Sequence, residues 1–405
     1  MKNLCVQGGR KLYGSVRVQG SKNICLPVMA ASILNEGISV IENCPCIDDV
    51  FIMQEILSGL GCVINREQNT LIIADMAGKL RASSVLMGPL LARFGSVKTA
   101  KPGGCQIGKR PIDIHLDVFK RLGASWELDD EYVSVSALKL HEADIYLRFP
   151  SVGATQNAIM ASVKVPGITI IRNAAKEPEI VGLCDYLTGC GADIKGAGGD
   201  TIAVRGVDKL NDTVYTIPAD RMVMGTYIAS ACATRGNIKL TGCNICDAEG
   251  FLDVYTGMGL EYKECKDGIS IFQKERPKAV DYIKTSVYPG FPTDMQSVTM
   301  SVAAYSDGKT VFEESIFENR FGVAGQLKKM GADISVDKNM AHVTGRSRLT
   351  GADVAGTDLR GTAALFVAAL AADGESIIRN TQYINRGYEK FVSNYRELGA
   401  EIIEI

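Results

Sequence analysis

Along this chain, stretches with apolar residues at helical spacing alternate with short β-rich runs, and the alternation itself repeats. A helical stretch closes in a Gly-Ala-like turn and is followed by two strands around a polar turn. The turns are Leu60-Gly-Cys62, Leu122-Gly-Ala124, Cys190-Gly-Ala192, Met258-Gly-Leu260, Met330-Gly-Ala332 and Leu398-Gly-Ala400. They recur at roughly 60 to 70 residues, long for a solenoid repeat but suited to a small α/β unit. Glycine at each turn fits the left-handed residue that ends a helix. Hairpins follow: Ala124–Leu128 and Tyr132–Ser136 flank Asp129-Asp130-Glu131, and Leu260–Glu264 and Ile269–Gln273 flank Lys266-Asp-Gly268. The sixth copy reaches Ile405 before its second strand. Leu4-Cys-Val-Gln-Gly8 looks like the missing piece when set beside Ile202-Ala-Val-Arg-Gly206, so the N-terminal segment is expected to complete the last repeat.

Each repeat holds a second helix, rich in small and apolar residues. These start near Lys22-Asn-Ile, Arg81-Ala-Ser-Ser, Ser151-Val-Gly, Arg221-Met-Val, Asp294-Met-Gln and Asp358-Leu-Arg. Gly361–Ala372 is apolar on nearly every face, which predicts a buried, central helix. The intervening helices, such as Val118-Phe-Lys-Arg-Leu122, are amphipathic and belong outside. The pattern gives an α/β fold of six units, three per lobe around buried helices. One lobe is expected over 22–218, the other over 1–21 plus 219–405, with crossings near Gly20-Ser21 and Pro218-Ala219. Small-molecule sites favour the cleft between such lobes.

Polar residues at the starts of buried helices are candidate ligand groups, because free N–H groups there suit phosphate and carboxylate. Ser151, Asp294 and Asp358 also read as ordinary caps. Capping does not account for Lys22, Arg81, Arg221 and Arg360, since cations are disfavoured at that end, and a ligand role is the better reading for them.

Composition narrows the partners. At 405 residues and 46% hydrophobic the chain can bury a large core, and a net charge of −2 offers no basic field for nucleic acid. No apolar run is long enough to span a membrane, and the N-terminus lacks the apolar region of a signal peptide. Twelve cysteines without a secretion signal read as reduced thiols in a cytoplasm, mostly small core residues. Cys44-Pro-Cys46 and Cys243-Asn-Ile-Cys246 are isolated pairs, and three histidines are too few to complete a zinc site, so no metal is expected.

One cysteine stands apart. Lys101-Pro-Gly-Gly-Cys105-Gln-Ile-Gly108-Lys-Arg-Pro111 sets a thiol among three glycines and three cations. Glycines let a ligand approach the backbone, and the cations favour bound anions and a more reactive thiol.

Taken with Gly20-Ser-Lys-Asn23, Arg110-Pro-Ile-Asp113, Phe291-Pro-Thr-Asp294-Met-Gln296, Phe317-Glu-Asn-Arg-Phe321, Thr357-Asp-Leu-Arg360 and Arg386-Gly-Tyr-Glu389, this loop makes the chain resemble the enolpyruvyl transferases. The resemblance runs in order from about residue 3 to the C-terminus. It implies a two-lobed inside-out α/β barrel, without cofactor or metal. It implies transfer of enolpyruvate from phosphoenolpyruvate to the 3-hydroxyl of UDP-N-acetylglucosamine, a step toward peptidoglycan and hence cell shape and division. It further implies a cytoplasmic enzyme that works as a monomer.

By the same resemblance, Cys105 is the general acid at the methylene carbon, and its thiol is the target of fosfomycin. Asp294 is the carboxylate near the sugar hydroxyl. Lys22, Arg110 and Arg386 hold the phosphate and carboxylate of phosphoenolpyruvate. The nucleotide sugar falls to Asn23, Arg81, the run Arg110, Pro111, Ile112, Asp113 and Ile114, then Ser151, Val152 and Gly153, with Asp294 and Ile316. Asp358, Arg360 and Arg221 support closure. The stretch from Ala74 to Arg81 is shorter than usual by about ten residues. Gly182 and Val223 stand where acidic residues are expected, and Gly361-Thr362 replaces an Ala-Ser pair. Two alternatives stay open: the enolpyruvyl transferase that acts on shikimate 3-phosphate, and a non-catalytic nucleotide-sugar-binding paralogue.

Overall fold

The structure is a computed structural model that describes residues 3–76, 84–101 and 112–405. Its strands form six sheets among those residues, five of four strands and one of three. The four-stranded sheets share one plan, a parallel pair at one edge followed by two antiparallel pairings. The expected sixfold repeat is therefore present as topology. All six turn glycines, at 61, 123, 191, 259, 331 and 399, have φ between 87° and 104°, where a side chain would be strained.

The N-terminal strand completes the sixth repeat as expected. Asp353–Ala355 runs parallel to Glu375–Arg379, and Leu4–Gln7 lies antiparallel between Glu375–Arg379 and Glu401–Glu404. That is the place Thr201–Arg205 holds in its own sheet, between Ile168–Arg172 and Asp193–Lys195. Strand residues alternate as half-buried strands should: Ile202 and Val204 are buried while Thr201 and Arg205 are exposed.

The described chain divides into two compact units, one of residues 20–76, 84–101 and 112–218, the other of residues 3–19 with 219–405. The first unit contains helices α1 (Lys22–Ala31), α2 (Met87–Phe94), α3 (Asp113–Arg121), α4 (Val152–Ser162) and α5 (Pro178–Gly189). α2 packs on α4, and α1 packs on α5, around one apolar core. The helix expected to open near Arg81 starts later, with the tight turn Ser84–Leu86 and then α2 from Met87. Pro89 falls within the first turn of α2, where its missing N–H costs no helical bond. Arg81 itself lies outside the described residues.

The second unit contains α6 (Arg221–Thr234), α7 (Thr293–Tyr305) and α8 (Leu359–Ala371), each packed on the other two. α6 is buried along its entire length, and α8 at all but its last residue, as an all-round apolar pattern requires. Small residues set the spacing. A Cβ added to Gly225 of α6 would lie 2.6 Å from the Met295 sulfur of α7.

Candidate active site

In the first unit, Lys22 opens α1 and donates from Nζ to Asp49 Oδ2 at 3.0 Å. Asp49 sits in the first turn of the helix Asp48–Gly59, so its carboxylate offsets a cation placed at the positive end of α1. Asn23 follows at the second position of α1, partly buried. Ser151 is a true cap, its Oγ accepting from the Ala154 N–H at 3.3 Å, and Val152 and Gly153 form the first turn of α4. Ile112 precedes α3, Asp113 opens it and pairs with Arg148, and Ile114 follows, partly buried. Cys105, Arg110 and Pro111 lie outside the described residues, as Arg81 does.

The second unit builds a denser constellation. Asp294 lies in the first turn of α7, and its two oxygens are held separately. Arg320 donates to Oδ1 at 2.7 Å from Nη2, and Arg360 donates to Oδ2 at 3.1 Å from Nε. Both guanidiniums are buried, whereas the Asp294 side chain remains 32% exposed. Arg360 also donates to the Tyr388 hydroxyl at 3.1 Å. Burial works against the Arg360 charge, but Tyr388, Asp294 and Asp220 outweigh it and raise its proton affinity above the ordinary arginine value.

Asp358 caps α8, with Oδ1 accepting from the N–H groups of Arg360 at 3.0 Å and Gly361 at 3.1 Å. Arg320 Nη1 approaches the same oxygen at 4.0 Å. Arg221 opens α6 behind an Asp220 cap, and its guanidinium lies 5.5 Å from the centre of the Tyr288 ring. The Ile316 N–H donates to Glu314 Oε1 at 2.8 Å, while Thr293 at the head of α7 donates to Oε2 at 2.9 Å. Arg386 is exposed, and the segment after it is tied down by Gln19, which donates to the Gly387 carbonyl and accepts from the Glu389 N–H.

Two readings of helix starts change. Asp294 is not a cap: Pro292 holds that position, and the Asp294 carboxylate turns to two arginines instead. Lys22 has a protein partner in Asp49, and the Arg221 guanidinium lies over the Tyr288 ring while Asp220 caps the helix it opens. Arg320, Tyr388, Asp49 and Glu314 join these groups without having been expected there. Arg320 lies in the Phe317–Phe321 run and Tyr388 in Arg386–Glu389; no motif marks Asp49 or Glu314.

The departures from the expected pattern fit their surroundings. A Cβ on Gly182 would lie 2.8 Å from Ile24 Cγ2, so α5 approaches α1 where an acidic side chain would not fit unaltered. Val223 is 2% exposed within the core of the second unit. At Gly361 a Cβ would meet Thr357 Oγ1 at 2.3 Å and Asp358 Oδ2 at 2.8 Å, so glycine leaves the cap undisturbed.

Residues 6–395 match the profile of the family described as EPSP synthase (3-phosphoshikimate 1-carboxyvinyltransferase). The chain belongs to that family. Within it, the chain is 42% identical to UDP-N-acetylglucosamine 1-carboxyvinyltransferase 2 of Caldanaerobacter subterraneus subsp. tengcongensis, covering 99% of both chains. It is also 42% identical to the protein of that name from Clostridium tetani, over 100% of both. Among solved structures it resembles the enolpyruvyl transferase NikO from Streptomyces tendae, with a TM-score of 0.88 at 25% identity over 99% of this chain and 98% of that one. EPSP synthase from Acinetobacter baumannii shares the fold at a TM-score of 0.76 and 18% identity, over 100% of each chain. The fold is thus the two-lobed inside-out α/β barrel of the EPSP synthase family. No helix among the described residues is long and apolar enough to cross a membrane.

Proposed function

We propose that this chain transfers enolpyruvate from phosphoenolpyruvate to the 3-hydroxyl of UDP-N-acetylglucosamine, releasing phosphate, as a step in peptidoglycan synthesis. The choice of acceptor is supported by full-length relatives at 42% identity that carry the name UDP-N-acetylglucosamine 1-carboxyvinyltransferase. The observation that carries the chemistry is Asp294, a partly exposed carboxylate fixed at the head of α7 by two buried guanidiniums. Such a group is oriented before substrate arrives, which is what proton transfer from a hydroxyl requires.

The reaction is addition followed by elimination. In addition, the Cys105 thiol gives a proton to the methylene carbon, the sugar oxygen bonds to the adjacent carbon, and Asp294 takes the hydroxyl proton. The product is a tetrahedral ketal that still carries phosphate. In elimination, the new methyl group returns a proton to the Cys105 thiolate, the carbon–carbon double bond re-forms, and the bond to phosphate oxygen breaks with its electron pair leaving on the phosphate. Phosphoenolpyruvate brings a phosphate and a carboxylate, and Lys22, Arg110 and Arg386 are the cations assigned to them. Asn23, Arg81, Arg110 to Ile114, Ser151 to Gly153, Asp294 and Ile316 are assigned to the nucleotide sugar. Asp358, Arg360 and Arg221 support the residues around Asp294. We place the enzyme in the cytoplasm as a monomer. The eleven described cysteines stand as thiols, which fits a reducing compartment.

Phosphate release from phosphoenolpyruvate, measured with UDP-N-acetylglucosamine or with shikimate 3-phosphate as acceptor, tests the proposal. Release with the nucleotide sugar alone is expected. Release only with shikimate 3-phosphate, or with neither, overturns it.

A further inference from the structure

Asn157 lies in α4, fully buried, and makes three hydrogen bonds to three different segments of the first unit. Its Oδ1 accepts from the Gly88 N–H of α2 at 2.6 Å. Its Nδ2 lies 2.9 Å from the Ser84 carbonyl oxygen and 2.9 Å from Nδ1 of His115 on α3.

These partners leave one orientation of the amide. A backbone N–H only donates, so the atom facing Gly88 must be oxygen. A carbonyl only accepts, so the atom facing Ser84 must be the amide nitrogen. That nitrogen then donates to His115 Nδ1, which must be an unprotonated acceptor. The imidazole proton is thereby placed on Nε2. That edge of the ring faces the start of α4. A Cβ added to Gly153 would lie 3.0 Å from His115 Cε1 and 3.3 Å from Nε2. No hydrogen bond runs from Nε2 to any described residue.

We infer that Asn157 is a positioning residue for nucleotide-sugar binding: it holds His115 as the neutral Nε2–H tautomer, a hydrogen-bond donor beside Ser151–Gly153 for an oxygen of the nucleotide sugar. This rests on the assignment of Ser151–Gly153 to that substrate. The surroundings keep the ring neutral. Burial alone lowers the His115 pKa to about 4, and no charged neighbour contributes to the shift. The titratable groups on the elements packed against α3 are Glu127 on Ser125–Leu128 and Asp144 and Tyr146 on Asp144–Tyr146, with none on α4. α3 itself carries Asp113, paired with Arg148, Asp117, paired with Arg121, and Lys120.

Asn157→Asp reverses the lock. A carboxylate oxygen beside Nδ1 accepts rather than donates, so it favours imidazolium at low pH and the Nδ1–H tautomer at high pH. In the latter form Nε2 has no hydrogen to give.

The test has two arms. Nitrogen-15 spectra of the three imidazoles, assigned with His141 and His342 variants, read the tautomer directly. In the native protein His115 is expected to show a protonated Nε2 and an unprotonated Nδ1, unchanged from about pH 5.5 to about pH 8. In Asn157→Asp it is expected to titrate within that range. Kinetics over the same range form the second arm. The KM for UDP-N-acetylglucosamine should rise at least about five-fold with pH in Asn157→Asp relative to the native enzyme, with kcat within about two-fold. A titrating or Nδ1-protonated His115 in the native protein overturns the inference, as does a variant KM that follows the native pH profile. Should Asn157→Asp not fold, the native spectra and the KM of His115→Phe, which has no donor to offer and is expected to raise it, still decide it. Absence of any turnover with UDP-N-acetylglucosamine would instead count against the functional reading, leaving the spectra to judge the tautomer.

Discussion

Arg320 and Asp294 form an ion pair of unequal burial: at 2.7 Å separation, the arginine side chain is 2% exposed and the aspartate 32%. The cation is locked into the fold, through the Thr293 carbonyl as well as the carboxylate, and the anion is the half that meets solvent. Arg360 repeats the arrangement from the other oxygen, at 4% side-chain exposure. The pairing therefore orients a carboxylate more than it cements two elements.

Replacing Arg320 by Met should lower kcat for phosphate release by about ten-fold or more, because Asp294 is then held by one guanidinium only. The accompanying loss of stability should be modest, about 1 to 3 kcal/mol, since Asp294 can still reach water. Urea unfolding together with the release assay checks both. An unchanged kcat would remove Asp294 orientation from the proposed mechanism.

Asp358 separates capping from charge. Asp358→Asn keeps an oxygen for the Arg360 and Gly361 N–H groups, so its melting temperature should stay close to that of the native protein, whereas Asp358→Ala should cost about 1 kcal/mol. If the carboxylate is needed beside Arg320, both variants lose activity. A fully active Asp358→Asn would reduce the residue to a helix cap.

His115 gives the first unit a distinct acid sensitivity. Its pKa is about 4 in the folded chain, against 6.5 for the unperturbed group. The unfolded state thus binds more protons between those values, and stability falls with falling pH across that window. The contribution is complete above pH 6.5 and amounts to roughly 2 to 3 kcal/mol lost by about pH 4. Denaturant titrations should show a shallower fall over that window in His115→Gln than in the native protein; parallel curves would contradict the assignment.

Thiol labelling distinguishes Cys105 from the other cysteines. Burial pushes Cys184 up to about 12 and Cys190 up to about 11, and Cys25, Cys44 and Cys232 are fully covered. Mass spectrometry after brief native labelling should find these unmodified and the exposed Cys246 modified. Fosfomycin should add to Cys105 alone, and Cys105→Asp should resist it while keeping some acid function. An equally sensitive Cys105→Asp variant would show that the drug acts elsewhere.

What was legible in the sequence followed from local rules. The turn glycines announced six positive-φ positions, and strand alternation announced the hairpins, because both depend on a few adjacent residues. The Ser151 and Asp358 caps were legible for the same reason. The groups around Asp294 were not: Arg320 lies 26 residues away and Arg360 66, and the packing of α7 against α8 and against the turn Arg320–Val323 brings them to one carboxylate. Asp49 reaches Lys22 across 27 residues in the same way. Asn157 looked like any polar residue in a small-residue helix, since its meaning depends on what α2 and α3 present to it.

The strand Leu4–Gln7 has a consequence for how the protein is made. It leaves the ribosome before the whole first unit, yet its partners, Glu375–Arg379 and Glu401–Glu404, emerge after that unit. The core of the first unit can form meanwhile, but one sheet of the other unit cannot close until the early strand is threaded between the two late ones. Pairings of such sequence separation are slow to form. Leu4–Gln7 thus acts as a clasp: it is synthesised ahead of the first unit, waits until Glu401–Glu404 has emerged, and then fastens that sheet.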